Sequence, residues 1–332
     1  MISTLNKRII SLIIILLAGL LAAGCGNSGE KDVKTASPEN KQAASNPSIE
    51  KSIWVINSSL MYSSVACISP ATNQVTGKTD LEGAARGVAT GGGSVWVTDY
   101  GNGKLLRIDP SSNKIIAAIQ VGDAPTKVVG GEGSIWVIDS NKGKISRVDP
   151  ATNSVVKTID ITNSVLTGIA VGEGAVWVSS VDFTLSKVDP ATNSVSATVR
   201  IGGNPTSVCI GEGSVWVTNS PSDTLWRINP SSNEVIAKIQ LDKGTKGIAA
   251  GQGAIWVISG TEGTVFRIDP ATNKVTAKFG AGKKPSGIAF AYGSLWVSDK
   301  GNNTVMRIDP ATNQFIATIS VDDGPTDMAA DL

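Results

Sequence analysis

The sequence predicts an all-β chain: a seven-bladed β-propeller with four antiparallel strands per blade, closed by pairing of its C-terminal strand with the first blade. A period carries this prediction first. Prolines recur at Pro70, Pro110, Pro150, Pro190, Pro230, Pro270 and Pro310, each 40 residues after the last. The tryptophan of a "VWV"-type strand keeps step at Trp54, Trp96, Trp136, Trp177, Trp216, Trp256 and Trp296, with spacings of 39 to 42 residues. A fixed period of this size marks a repeat architecture. Second, each unit holds four short apolar runs separated by turn residues. Third, the repeat begins and ends out of phase, so its two ends complement one another.

Composition agrees. Of 332 residues 41% are hydrophobic, 17% are charged and 36 are glycine, which suits a large core and many tight turns. The net charge of +1 gives no electrostatic case for nucleic acid as a partner. Histidine is absent. That removes Ser-His-Asp and Cys-His chemistry, His-ligated zinc and any histidine base. Cys67 and Cys209 fall in different units and are expected to be buried free thiols rather than a disulfide.

In chain order, residues 1–25 carry Lys7 and Arg8, an apolar run Ile9–Leu21 and then Leu-Ala-Ala-Gly-Cys. The run has signal-peptide length and is short for a permanent span. It resembles a bacterial lipoprotein signal, which implies lipid on Cys25 and an extracytoplasmic protein anchored to the cell membrane. Residues 26–50 are poor in apolar types and read as a disordered tether of about 25–30 Å.

The body spans 51–332. In the third unit the strands fall at Thr126–Gly130 (A), Ser134–Asp139 (B), Lys144–Asp149 (C) and Ser154–Ile161 (D). Gly131-Glu132-Gly133 joins A to B, where glycine takes the positive φ of a tight hairpin. Asp149-Pro150-Ala151-Thr152-Asn153 joins C to D: proline presets the turn, aspartate caps it, and asparagine tolerates the left-handed conformation. Recurring in nearly every unit, this turn is scaffold. The tryptophans fill the spaces between blades. A recurrent base on strand C (Arg107, Arg147, Lys187, Arg227, Arg267 and Arg307, with Cys67 the exception) is expected to meet an acidic or carbonyl group of the next blade. Trp226, on strand C of the fifth unit, is expected in the core. The first unit opens at its B strand, Ser52–Asn57, and the chain finishes with an unpaired A strand from Gly324. Joined, they make one blade and remove two exposed edges.

The run VWVTDYGNGKLLRIDPSSNKIIAAIQVGDAPTKVV resembles the YVTN-type propeller repeat, with tryptophan in place of the family's tyrosine. The resemblance extends over 51–332 and implies a propeller; related propellers serve as enzymes, binding proteins and scaffolds. The virginiamycin B lyase family is similar in blade number and repeat. Its chemistry rests on a histidine base with magnesium, and no histidine here matches it.

Function is sought where the copies differ. In a propeller so connected, the D–A and B–C loops share one face and strand A lines the channel. The first residue after each A-strand "P" position is Arg86, Thr126, Thr167, Thr206, Lys246, Ser286 or Thr326, followed by Gly87, Lys127, Gly168, Ser207, Gly247, Gly287 or Asp327. With Lys283 and Lys284 nearby, and Asp242, Asp322 and Asp323, these form a polar channel mouth suited to a small anionic group. The B–C loops depart from one another at Met61 with Tyr62, Asp99 with Tyr100, Asp182 with Phe183, and Asp299 with Lys300. Exposed aromatics there suit a protein or glycan surface. The expected protein is a non-catalytic, monomeric, membrane-anchored propeller without cofactor, metal site or catalytic residues. It binds a protein, an envelope polymer or a small polar ligand on its loop face. The alternative is a lyase or hydrolase acting at the channel mouth.

Overall fold

A computed structural model describes residues 51–59 and 62–330. The signal, the lipidation site Cys25, the tether and Met61 lie outside the described residues.

Seven four-stranded antiparallel sheets form the blades. Blade 1 takes strands B, C and D from Ile53–Ser58, Ser63–Ser69 and Gln74–Leu81, and strand A from Pro325–Ala330 at the other end of the chain. Trp54 stands opposite Ala329 and Val55 opposite Met328, so the ring closes as expected. Blade 3 has its strands at Pro125–Gly131, Ser134–Asp139, Lys144–Asp149 and Ser154–Asp160, within a residue of the sequence-based boundaries.

The turns behave as their residues dictate, with one addition. In the A–B turn Glu132 (φ 50°) as well as Gly133 (φ 67°) is left-handed, the paired requirement of a type I′ hairpin. Glu173, Glu212, Gln252 and Tyr292 take the same conformation in later blades. In the C–D turn Asn153 sits at φ 55° and its N–H donates to the Asp149 carbonyl at 2.9 Å. The Asp149 carboxylate accepts the Ala151 N–H at 2.8 Å and the Thr152 hydroxyl at 3.0 Å, and these bonds hold its pKa below the usual carboxylate range.

Packing is repeated at each interface between blades. All seven strand-B tryptophans are wholly buried, each in a cluster that joins two blades; Trp96 packs with Ile135, Val137 and Val148 of the next. The indole N–H of Trp96 donates to the Gly91 carbonyl at 2.9 Å. Over the ring lies the strand-C base, Arg107, 5.1 Å from the centroid. Its guanidinium donates to Ser94 Oγ (2.8 Å), to the Pro150 carbonyl of the next blade (2.7 Å) and to Asn153 Oδ1 (2.8 Å). The expected inter-blade partner is therefore a carbonyl. Trp226 is buried, as expected of core.

Three blades lack the full clamp, and each leaves one orphan. Where Cys67 or Lys187 replaces arginine, and where Ala254 replaces the serine that orients Arg267, the buried amide oxygens of Asn113, Asn233 and Asn313 have no partner. Lys187 still reaches the Pro230 carbonyl at 2.7 Å. Ala254→Ser is therefore expected to give the Arg267 Nε an acceptor and aim its guanidinium at Asn313. The gain is about 1 kcal/mol, read as a higher urea midpoint at unchanged slope.

Candidate functional site

The seven A strands neighbour one another in a closed ring, the strand Pro325–Ala330 touching those of blades 7 and 2. They enclose a channel of about 490 Å³. At its mouth each A strand carries a register irregularity, such as that between Pro125 and Lys127. A bulge re-aims side chains, and it separates the two adjacent positions read from the sequence.

Most first-position hydroxyls turn back onto strand B or the turn after it. Thr126 Oγ1 meets Ser140 Oγ at 2.5 Å, Thr167 meets Ser179 at 2.9 Å, Thr206 meets Thr218 at 2.9 Å and Ser286 meets Ser298 at 3.0 Å. Thr326 Oγ1 is buried without a partner. Arg86 stacks on Tyr100 at 5.0 Å and does not line the channel. The lining includes Lys127, Thr206, Lys246, Ser286 and Asp327, with Gly168, Gly247 and Gly287 leaving room between them.

Charge at the mouth is unbalanced. Lys127 Nζ lies 3.3 Å from Asp327 Oδ2, reaching from blade 3 to blade 1. The Lys246 carbonyl accepts from the Thr218 hydroxyl at 3.1 Å, but its ammonium has no ion-pair or hydrogen-bond partner among the described residues. Burial, and then the nearby charges of Lys127, Lys284 and Lys300, hold its pKa below the ordinary lysine value. The acidic loop residues do little to offset this cluster. Asp322 is held by Lys78 at 2.9 Å and Ser64 at 3.0 Å, Asp242 pairs with Lys278, and Asp323 accepts from Asn303 at 2.7 Å. Of the carboxylates named at the mouth, Asp327 alone pairs with a mouth lysine.

Sequence reasoning placed Lys284 on a D–A loop and Lys300 on a B–C loop, with no sign that they act together. The link is Asp299. Its buried carboxylate accepts the N–H groups of Lys283 (3.0 Å), Lys284 (2.8 Å) and Gly301 (2.9 Å), fixing both loops of blade 7 around one anion. Asp299 is thus a loop anchor, as Asp139 is for Asp123 and Ala124 in blade 3. Tyr62 and Phe183 are the exposed aromatics of the loop face.

Other chemistry is sparse. Among the described residues no three His, Cys, Asp or Glu side chains come together as a metal ligand set. Cys67 and Cys209 are free thiols, and burial pushes the Cys209 thiol up to about 12, far from a neutral-pH nucleophile.

Comparison with known proteins gives the fold. A family model described as a repeat of unknown function (DUF6923) matches residues 205–331. No curated protein sequence matches the chain. A solved streptogramin B lyase structure is similar at 18% identity and TM-score 0.66, covering 74% of this chain and 86% of that one. Apo AztD from Citrobacter koseri is similar at 12% identity and TM-score 0.68, covering 85% and 98%. The hydrazine synthase of Kuenenia stuttgartiensis is similar at 14% identity and TM-score 0.61, covering 78% and 89%.

Proposed function

We propose that this propeller is a non-catalytic binding protein that holds a small anionic ligand at its channel mouth. It works outside the cytoplasm, on a lipid anchor at Cys25. The observation that carries the reading is Lys127 and Lys246 on the channel lining, with Lys284 and Lys300 near enough to repel Lys246 and Asp327 paired with Lys127. An anion entering there gains charge-assisted hydrogen bonds, and it offsets both the burial and the lysine repulsion that depress the Lys246 pKa. Lys51, where the described residues begin, stands on the opposite face beside the A–B turns.

Titration with inorganic phosphate and with succinate tests the reading. The double variant Lys127→Ala/Lys246→Ala is expected to weaken binding by about 30-fold or more, from roughly 1–2 kcal/mol per lost charged contact. Equal affinity in wild type and variant would remove the mouth as the site.

A dependence on pH follows from the direction of the Lys246 shift. The ammonium binds the anion and is lost as pH rises through its lowered pKa. Affinity is therefore expected to fall with rising pH over an interval below that in which an ordinary lysine titrates, whereas Lys246→Arg keeps a flatter profile. Calorimetric titration at each pH reads this out. Stability carries the opposite sign: the unfolded chain keeps that proton to higher pH, so the contribution of Lys246 to stability rises over the same interval.

One observation favours a second reading, a lyase or hydrolase at the same mouth. A lysine with a lowered pKa supplies some neutral amine to act as a base. Turnover of a lactone or ester, lost on Lys246→Ala with anion binding retained in Lys246→Arg, would select that reading.

A further inference from the structure

At the opposite end of the propeller, on the face of the A–B and C–D turns, lies a second cavity of about 580 Å³. Its position follows from a departure in one copy of the repeat. The left-handed A–B turn residue carries a long side chain in five blades: Glu132, Glu173, Glu212, Gln252 and Tyr292. In blade 2 it is Gly92, at φ 56°. A Cβ placed on Gly92 would stand 2.7 Å from Pro150 Cβ, so the Pro150 ring has moved up to the place of that carbon and no side chain extends past it into the cavity.

The floor is bare for a related reason. In other blades a side chain of the neighbouring A strand covers the glycine before the turn: Val171 covers Gly131, Ala250 covers Gly211 and Phe290 covers Gly251. Beside Gly91 the corresponding neighbour is Gly130, which has no side chain to offer, and Ile135 Cδ1 reaches over Gly91 instead, 2.8 Å from where a Gly91 Cβ would stand. A Cβ on Gly130 would come 2.3 Å from the Thr90 carbonyl, so the two backbones approach too closely for any other residue. The result is a flat backbone surface walled by Pro110, Pro150, Ile135 and Tyr292. Lys51 is the charged side chain of the lining, its ammonium 5.5 Å from the Tyr292 ring centroid at the rim.

We infer that this cleft is a second binding site, distinct from the channel mouth, for a planar aromatic monoanion. Glycine backbone and proline rings present flat apolar surface that a ring covers without voids, and a single lysine matches a single carboxylate or sulfonate. The cluster at the other mouth, with its several cations, suits a compact and more highly charged anion instead.

The probe is 2-naphthoate, with neutral 2-naphthamide beside it, titrated calorimetrically into the full chain. Gly92→Glu restores the residue that Glu132, Glu173 and Glu212 show to be tolerated at φ 50° to 53°. Its Cβ must push the Pro150 ring aside, so a lowered melting temperature is expected, and naphthoate binding is expected to weaken by at least about tenfold because the side chain fills the cleft and opposes the anion. Lys51→Gln is expected to weaken naphthoate several-fold and leave naphthamide unchanged, while Lys127→Ala/Lys246→Ala leaves both unchanged. The inference is overturned if naphthoate does not bind, if Gly92→Glu binds it as wild type does, or if the lysine double variant abolishes it and so assigns it to the channel mouth.

Discussion

A chain truncated after Gly324 is expected to lose the folded propeller rather than one strand of it. The missing segment, Pro325–Ala330, is strand A of blade 1, paired from Val55 opposite Met328 to Ile53 opposite Ala330. Met328 is buried against Trp296 and Val305 of blade 7, and Ala329 packs on the cluster holding Trp54. The loss of Met328 costs about 1.5–3 kcal/mol, and the backbone ladder across four paired positions, at about 1 kcal/mol each, brings the total to about 6–7 kcal/mol. A domain holds about 5–15 kcal/mol in all. The deletion also strips one edge from Ile53–Ser58, leaving an apolar strand open to pairing with other chains. Far-UV circular dichroism and size-exclusion chromatography should show unfolding or aggregation at temperatures where the parent is native. A permuted chain that places Pro325–Ala330 ahead of Lys51 through a Gly-Glu-Gly hairpin should fold again. A truncated chain that melts cooperatively within a few degrees of the parent would contradict closure by that strand.

Legibility differed between fold and site, and the reason is local. The strands repeat because each turn chemistry is self-contained: Asn153 is left-handed and Asp149 capped by residues within its own turn. Such features survive in a sequence read one window at a time. The ring could be read because the first and last units fail to complete themselves. The clamp was half legible. The base on strand C stood out, but its dependence on the serine at the start of strand B did not, since Ser94 and Arg107 lie 13 residues apart on neighbouring strands. At the channel mouth a one-residue bulge decides which of two adjacent side chains faces inward, and nothing in the pattern marks it. Thr126 therefore turns away while Lys127 lines the channel. The grouping of Lys246 with Lys284 and Lys300 depends on contacts between blades 6 and 7, which no period reveals.

Trp136→Ala is expected to cost about 3–5 kcal/mol, the range for emptying a fully buried aromatic site. Three losses coincide. The ring leaves a void among Val176, Val178 and Val188 of the next blade. The Gly131 carbonyl loses the indole N–H at 3.1 Å. The Arg147 guanidinium, 5.0 Å over the ring, keeps its bonds to Ser134, Pro190 and Asn193 but loses the face it covers. Blade 4 supplies an internal control, because the Trp177 indole nitrogen has no partner. Trp177→Phe should then cost less than Trp136→Phe by about 1 kcal/mol, the worth of one hydrogen bond with packing loss held alike. Urea unfolding of the parent and the three variants measures both comparisons. The consequence reaches the channel, since strand B carries each tryptophan and also holds strand A against the ring. A Trp136→Ala protein should therefore bind phosphate less tightly although no mouth residue has changed. If stability falls as expected while phosphate affinity stays at the wild-type value, the mouth is held by its loops, through Asp299 and Asp139, rather than by the packed interface between blades.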